Sequence, residues 1–338
     1  MELEEIKGVG ESIAKRLRAA GFINVESVAV APARELKDRL GYKDLKPATR
    51  IAEAARETLG TKFITAWEHW QMTKNRMRCT TGSKALNALL GGGIETQTIT
   101  ELAGEYAAGK SQLCFSLCVR TQLKPGEGGL GGNVLFFDTE GTFSSDRIYL
   151  IASHNGLNPD QVLHNIILSR VYNSDHQMFL LDHAFQLCAE QNVKLVVVDS
   201  AISHFRGEYL GRESLSERQQ KLNSYMHKLL RLAEIYNLAV VITNQAQAEP
   251  VVYYAPKPIP GRPTGGNIMG HASNTRIWLR RAAKGSVRVA RVFDSPCLPE
   301  GECIFSITDK GIEDVPEAES IKMKQKMEKQ RQEEEEEP

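Results

Sequence analysis

The chain has 338 residues, of which 41% are hydrophobic, 25% charged and 7% aromatic, enough for one substantial α/β core and a smaller module. That composition excludes a disordered protein and a disulfide-stapled mini-protein. Its 42 basic and 42 acidic side chains cancel, so any affinity for nucleic acid has to come from local clusters of charge.

The chain has no apolar run of about eighteen residues, and the acidic start Met1-Glu2-Leu3-Glu4-Glu5 does not read as a signal peptide. We expect a cytoplasmic protein with no membrane contact. The six cysteines (Cys79, Cys114, Cys118, Cys188, Cys297 and Cys303) show no C-x-x-C spacing and read as reduced thiols. Cys114 and Cys118, four apart on an expected helix, read as small buried residues rather than metal ligands.

Residues 1–60 read as short helices broken by glycine, with Gly8-Val9-Gly10 between two of them. Two readings stand side by side. A helix-hairpin-helix DNA module would use Gly8 and Gly10 to bring backbone N–H groups close to a phosphate, with Lys7, Lys15 and Arg16 adding charge. A plain helical bundle would use the same glycines only to cap and turn.

Residues 61–78 read as an extended linker carrying Phe63-Ile64-Thr65-Ala66 and ending in Lys74, Arg76 and Arg78. An F-x-x-A could dock into a neighbouring subunit, but on spacing alone local packing is favoured. Residues 79–318 alternate apolar runs with helical patterns. Strands are expected at 98–102, 134–138, 166–169, 195–199 and 239–243, with helices near 111–122, 145–155, 177–190 and 216–236.

Strands this apolar, joined by helical crossovers, imply a mostly parallel sheet covered on both faces. Three further β runs, 275–279, 287–293 and 303–307, follow without intervening helices and suggest an antiparallel extension. The tail, 319–338, runs from lysines into Glu333–Glu337 and reads as a solvated helix fraying into disorder.

The chemistry concentrates at Gly104-Glu105-Tyr106-Ala107-Ala108-Gly109-Lys110-Ser111, which fits G-x-x-x-x-G-K-[ST] between an expected strand and an expected helix. Its glycines permit a loop of backbone N–H groups around phosphates. Lys110 neutralises phosphate charge and the Ser111 hydroxyl suits Mg²⁺. Asp199, ending the run Leu195-Val196-Val197-Val198, is the expected second group on the magnesium side, although an aspartate there could simply cap a strand. Glu140, in Asp138-Thr139-Glu140-Gly141, is the candidate general base for an attacking water.

Through motifs spread along nearly the whole chain, the protein resembles the archaeal RadA recombinases and their eukaryotic counterparts, a branch of the RecA superfamily. The resemblance rests on Thr81-Gly82-Ser83-Lys84-Ala85-Leu86, Gly91-Gly92-Gly93-Ile94-Glu95-Thr96, Asp138 to Phe143, Val198-Asp199-Ser200, Ser203-His204-Phe205-Arg206, Arg218 to Leu222, Thr243-Asn244-Gln245 and Asp294 to Glu300. It implies an α/β fold, a RecA-like P-loop ATPase core preceded by a small all-α helix-hairpin-helix domain. It also implies a DNA-dependent ATPase that uses ATP and Mg²⁺, forms helical filaments on single-stranded DNA and exchanges strands with homologous duplex.

Its implied partners are single- and double-stranded DNA, further copies of the chain and recombination mediators. In this resemblance Phe63 and Ala66 form the polymerisation motif, reversing the reading from spacing. Gln112 extends the phosphate loop, and Arg147 packs near the adenine. Asp294 and Pro299 form a cap supplied by the adjacent subunit, while Gln245 and His271 sense the γ-phosphate.

Two DNA loops are implied. The first carries Arg206, Tyr209 and Arg212 and is followed by Arg218; the second runs from Ala246 to about Ser273 and includes Gly265, Gly266 and Asn267. The N-terminal residues Gly8, Gly10 and Lys15 are implied to gather duplex.

Ala107-Ala108 and Ser111 depart from the usual phosphate loop, Ser144 stands where an arginine is common, and Glu249 puts an acid early in the second loop. The alternative is a recombinase paralogue that binds ATP and DNA without exchanging strands.

Overall fold

A computed structural model describes residues 1–60, 63–209, 211, 213–247, 262–282 and 285–316. Arg212, Glu249, most of the second loop and the charged tail therefore lie outside the described residues.

The N-terminal module packs α1 (Glu11–Ala19), α2 (Val25–Ala29), α3 (Ala33–Leu40) and α4 (Leu45–Leu59) around Leu17, Val25, Val28 and Leu36. The buried face of α4 sets Ile51 among three small, fully buried residues, Ala48, Ala52 and Ala55, which let the other helices approach closely. Gly41, in the left-handed conformation, ends α3.

The linker was expected to be extended but holds a helix, α5 (Ala66–Thr73). The physical reason is local: the Thr65 hydroxyl accepts the Glu68 N–H, and the Glu68 carboxylate accepts the Thr65 N–H at 2.7 Å. This reciprocal cap starts a helix at Ala66.

The core begins with β1 (Arg78–Cys79), α6 (Lys84–Leu89) and β2 (Ile94–Glu95), then β3 (Ile99–Gly104), α7 (Lys110–Arg120) and β4 (Asn133–Asp138). It continues through α8 (Ser145–His154), α9 (Pro159–His164), β5 (Ile166–Arg170), α10 (Ser174–Glu190), β6 (Val193–Asp199), α11 (Ser203–Glu208) and α12 (Leu215–Tyr236). It ends with β7 (Ala239–Gln247), β8 (Arg262–Pro263), α13 (Gly266–Ala272), β9 (Thr275–Arg281), β10 (Val287–Asp294), β11 (Gly301–Thr308) and β12 (Gly311–Glu313).

The main sheet runs β12-β11-β10-β9-β3-β7-β6-β4-β5, with β8 paired to β7. Side chains alternate between its two faces as strand geometry requires. Val134, Phe136, Leu195 and Val197 join α7 and α8 in one core cluster. Leu135, Phe137, Val196 and Val198 join α10 and α12 in the other.

The antiparallel extension begins one strand later than expected and runs on through β12. β9 runs parallel to β3, with Leu102 opposite Ile277, and the antiparallel pairing starts between β9 and β10. The reason is α13, a crossover helix in a stretch expected to be an irregular loop; it returns the chain to the same end of the sheet before β9 begins. Similarly, Arg206 and Gly207 belong to α11 rather than to an open loop.

The module docks on the core through charge. The Glu35 carboxylate on α3 takes Arg231 at 2.8 Å and Arg39 at 3.0 Å, while Asp182 on α10 takes Lys228 at 2.6 Å and also Arg39. Arg231 donates in addition to the Val30 carbonyl at 3.2 Å. Among the described residues no helix is long and apolar enough to cross a membrane.

Candidate nucleotide site and DNA-facing segments

The register of the parallel strands assembles the site. Gly104 lies opposite Gln245 across β3 and β7, and Asp138 lies opposite Asp199 across β4 and β6. All four therefore emerge at the C-terminal edge of the sheet, where ligands of open α/β sheets bind.

The phosphate loop needs its glycines for space as well as for conformation. A Cβ on Gly104, at φ +159°, would stand 2.3 Å from the Leu279 carbonyl oxygen; one on Gly109, at φ +103°, would stand 2.7 Å from Ile307 Cδ1. Ala107 adopts φ +58° without being glycine. Tyr106 at the loop tip is 98% exposed.

Lys110 opens α7 and donates its ammonium to the carbonyls of Gly104 and Glu105, both at 2.9 Å. Burial lowers its pKa, with Asp199 and Glu140 opposing the shift. Burial likewise raises the pKa of Asp199, against the Thr243 hydrogen bond and the neighbouring Ser111 hydroxyl. Thr243 donates to Asp199 Oδ1 at 2.5 Å, and Asp199 Oδ2 is buried without a hydrogen-bond partner.

A nearly buried carboxylate oxygen left over, with a serine hydroxyl beside it and an ammonium nearby, fits a magnesium–nucleotide complex. Ser111 and Asp199 are the residues that could hold the metal, and Gly104 to Gln112 those that could hold the phosphates. Among the described residues no group of three or more His, Cys, Asp or Glu side chains forms a self-sufficient metal cage, as expected of an ion shared with phosphates.

Glu140 is exposed, and its Oε1 accepts from Gln245 Nε2 at 2.9 Å. Its position is set by Asp138, a role the sequence reading did not assign. The Asp138 carboxylate accepts the N–H groups of Gly141 at 2.7 Å, Thr142 at 3.1 Å and Phe143 at 3.4 Å, and pairs with Arg170 at 3.6 Å. An aspartate followed by glycine three residues on is the only local signal of this turn.

Arg147 donates to Gln112 Oε1 at 2.8 Å and to the Thr308 carbonyl, so it ties α8 to α7 and to the end of β11. Ser144 caps α8 by accepting the Arg147 N–H at 3.2 Å.

The remaining candidates lie elsewhere. His271 is exposed on α13. Asp294 ends β10 and pairs with Arg276 at 3.5 Å, and Pro299 is exposed in the turn beyond. Arg206 is exposed on α11, Arg218 lies in the first turn of α12, and the Tyr209 hydroxyl meets Lys221, whose ammonium sits 5.1 Å from the ring centroid.

Gly265, at φ +96°, is the cap of α13, and Gly266 and Asn267 are its exposed first residues. In the N-terminal module Gly8 has φ +85°, Gly10 caps α1, and open space surrounds both. Lys15 is exposed on α1. Phe63 is 98% exposed ahead of α5, and Ala66 is the first residue of that helix.

The fold and the phosphate loop at the edge of its sheet define a RecA-type P-loop protein. Residues 72–315 match the Rad51 family model. The chain is 46% identical over 313 residues to the DNA repair and recombination protein RadA of Aeropyrum pernix, covering 93% of this chain and 97% of that protein. It is also 46% identical over 319 residues to the protein of the same name from Metallosphaera sedula, covering 93% and 96%. The chain belongs to the RadA family of recombinases, whose members these names tie to DNA repair and recombination.

Proposed function

We propose that the protein is a DNA-dependent ATPase that forms filaments on single-stranded DNA and exchanges strands with homologous duplex in recombinational repair. The observation that carries this reading is the Glu140–Gln245 hydrogen bond. It joins the carboxylate best placed to take a proton from an attacking water to the strand that leads into the second DNA loop.

In this reading Lys110 and the N–H groups at the start of α7 hold the phosphates, and Ser111 and Asp199 hold Mg²⁺, which when bound offsets phosphate charge. Glu140 orients water and accepts its proton. Gln245 and His271 report the nucleotide to the DNA-facing segments. Arg147 supports the base side of the site, and Asp294 and Pro299 close the nucleotide of the next subunit.

Phe63 and Ala66 engage a neighbouring copy. That contact is heterologous, so it grows a filament instead of closing a dimer. Arg206, Tyr209, Arg212 and Arg218, with Gly265 to Asn267, hold DNA chiefly by its backbone, and base pairing supplies homology. Gly8, Gly10 and Lys15 hold duplex as a helix-hairpin-helix, in a 1–60 domain joined by the 61–78 linker to the 79–318 core. The protein acts in the cytoplasm on the chromosome.

The test is strand exchange between a circular single strand and its homologous linear duplex, with Lys110→Ala as control. Joint molecules that require ATP and Lys110 are expected. DNA-stimulated hydrolysis without joint molecules would instead support the non-exchanging paralogue.

A further inference from the structure

Glu101, in the middle of β3, is fully buried, and no step proposed above uses it. Its two oxygens face opposite partners. Oε1 accepts from Asn244 Nδ2 at 2.6 Å, and Oε2 accepts from Arg276 Nε at 2.7 Å.

Asn244 immediately precedes Gln245, and its amide also donates to the Thr264 carbonyl at 2.6 Å. Thr264 returns to β7, giving its N–H at 3.0 Å and its hydroxyl at 2.8 Å to the carbonyl of Gln245. The next residues are Gly265, Gly266 and Asn267. Arg276, the other partner, lies under α13, where a Cβ on Gly270 would stand 3.1 Å from its Nη1. Glu101 thus grips the strand that carries Gln245 and, on its far side, the arginine beneath the helix that begins with Gly266.

We propose that Glu101 is a positioning residue that couples nucleotide to DNA, by holding the Thr264–Asn267 segment and α13 in register with Gln245 and Glu140. It touches neither ligand. The inference rests on the function proposed above and names the buried group through which that site communicates.

Two acceptor oxygens are essential to the arrangement. A glutamine has one, so its NH₂ either opposes the Arg276 N–H, donor against donor, or makes the Asn244 amide turn its unpaired Oδ1 toward it and give up the Thr264 carbonyl; one grip is lost either way. Because coupling between two ligands is reciprocal, the loss is readable from either side.

The experiment compares wild type, Glu101→Gln and Thr264→Val, the last removing only the hydroxyl donated to Gln245. Affinity for a non-hydrolysable ATP analogue is measured with and without a single-stranded oligonucleotide, and steady-state hydrolysis is followed under both conditions. Expected for both variants is a DNA-free KM and kcat within about twofold of wild type, and a DNA-induced gain in nucleotide affinity and in kcat reduced about tenfold.

Partial recovery is expected in Glu101→Asp, which restores both oxygens on a shorter stem. If Glu101→Gln does not fold, Thr264→Val carries the test alone. Unchanged DNA stimulation in the folded variants would overturn the proposal. So would a proportional fall of basal and stimulated rates, which would make the role purely structural. Absence of DNA stimulation in the wild type would be a failure of the proposed function instead.

Discussion

Ala107 is where one side chain meets a backbone that does not suit it. An L-residue in the left-handed region carries a steric cost of roughly 1–2 kcal/mol, partly offset by the greater freedom a glycine loses on folding. Ala107→Gly is therefore expected to stabilise the nucleotide-free protein by about 0.5–1 kcal/mol, read as a rise in the chemical denaturation midpoint. An unchanged or lower midpoint would show that the loop gains from the alanine methyl. At this scale the sequence was informative wherever spacing carries chemistry: Lys110, Ser111, Asp199 and Glu140 converge at one edge of the sheet. It was silent on Glu101, because Ile99-Thr100-Glu101-Leu102-Ala103 does not say that its acid meets Asn244 and Arg276, residues more than a hundred positions away. The placing of Asp138 was equally hidden, since its partners are backbone N–H groups that any sequence possesses.

Helices and strands show the same division between local and distant causes. Strands β4, β6 and β7 were legible because a strand buried on both faces reads as a nearly continuous apolar run. The direction of β9 was not, since it depends on a crossover helix, α13, that is only seven residues long and carries two glycines. The helix in the linker was missed for a related reason: a reciprocal cap between Thr65 and Glu68 outweighs the weak periodicity of α5. Capping also gives Ser144 its place, since it supplies the oxygen that starts α8. Ser144→Ala is expected to cost about 1 kcal/mol in an equilibrium urea titration. Because Arg147 lies in the first turn of that helix, the same change should also weaken binding of the ATP analogue. A loss of stability with unaltered nucleotide affinity would separate the helix start from the site.

Across the whole molecule, charged side chains link the two bodies. Glu35 and Asp182 stand between Arg39, Lys228 and Arg231, an arrangement in which each carboxylate serves two or more cations. Removing one member leaves part-buried charge without a partner. Glu35→Gln should accordingly let the amides of α2 and α3 exchange about tenfold faster, about 1.4 kcal/mol of local opening, while those of the central sheet keep their protection. Uniform acceleration across the chain would mean that module and core unfold together. None of this docking was legible beforehand, because charges on α3, α10 and α12 read in isolation as solvated surface.

The distribution of thiols has a practical consequence. Cys79, Cys114, Cys118 and Cys188 are buried, and burial raises the pKa of each, that of Cys79 to about 11, whereas Cys297 is exposed between Asp294 and Pro299. Thiolate, not thiol, attacks alkylating reagents, so brief treatment of the native chain with one equivalent of a maleimide dye at neutral pH should label Cys297 first, as peptide mapping would establish. The unmutated protein would then carry its own fluorescent reporter at the proposed cap, and the arrival of a neighbouring subunit could be timed as a change in dye emission.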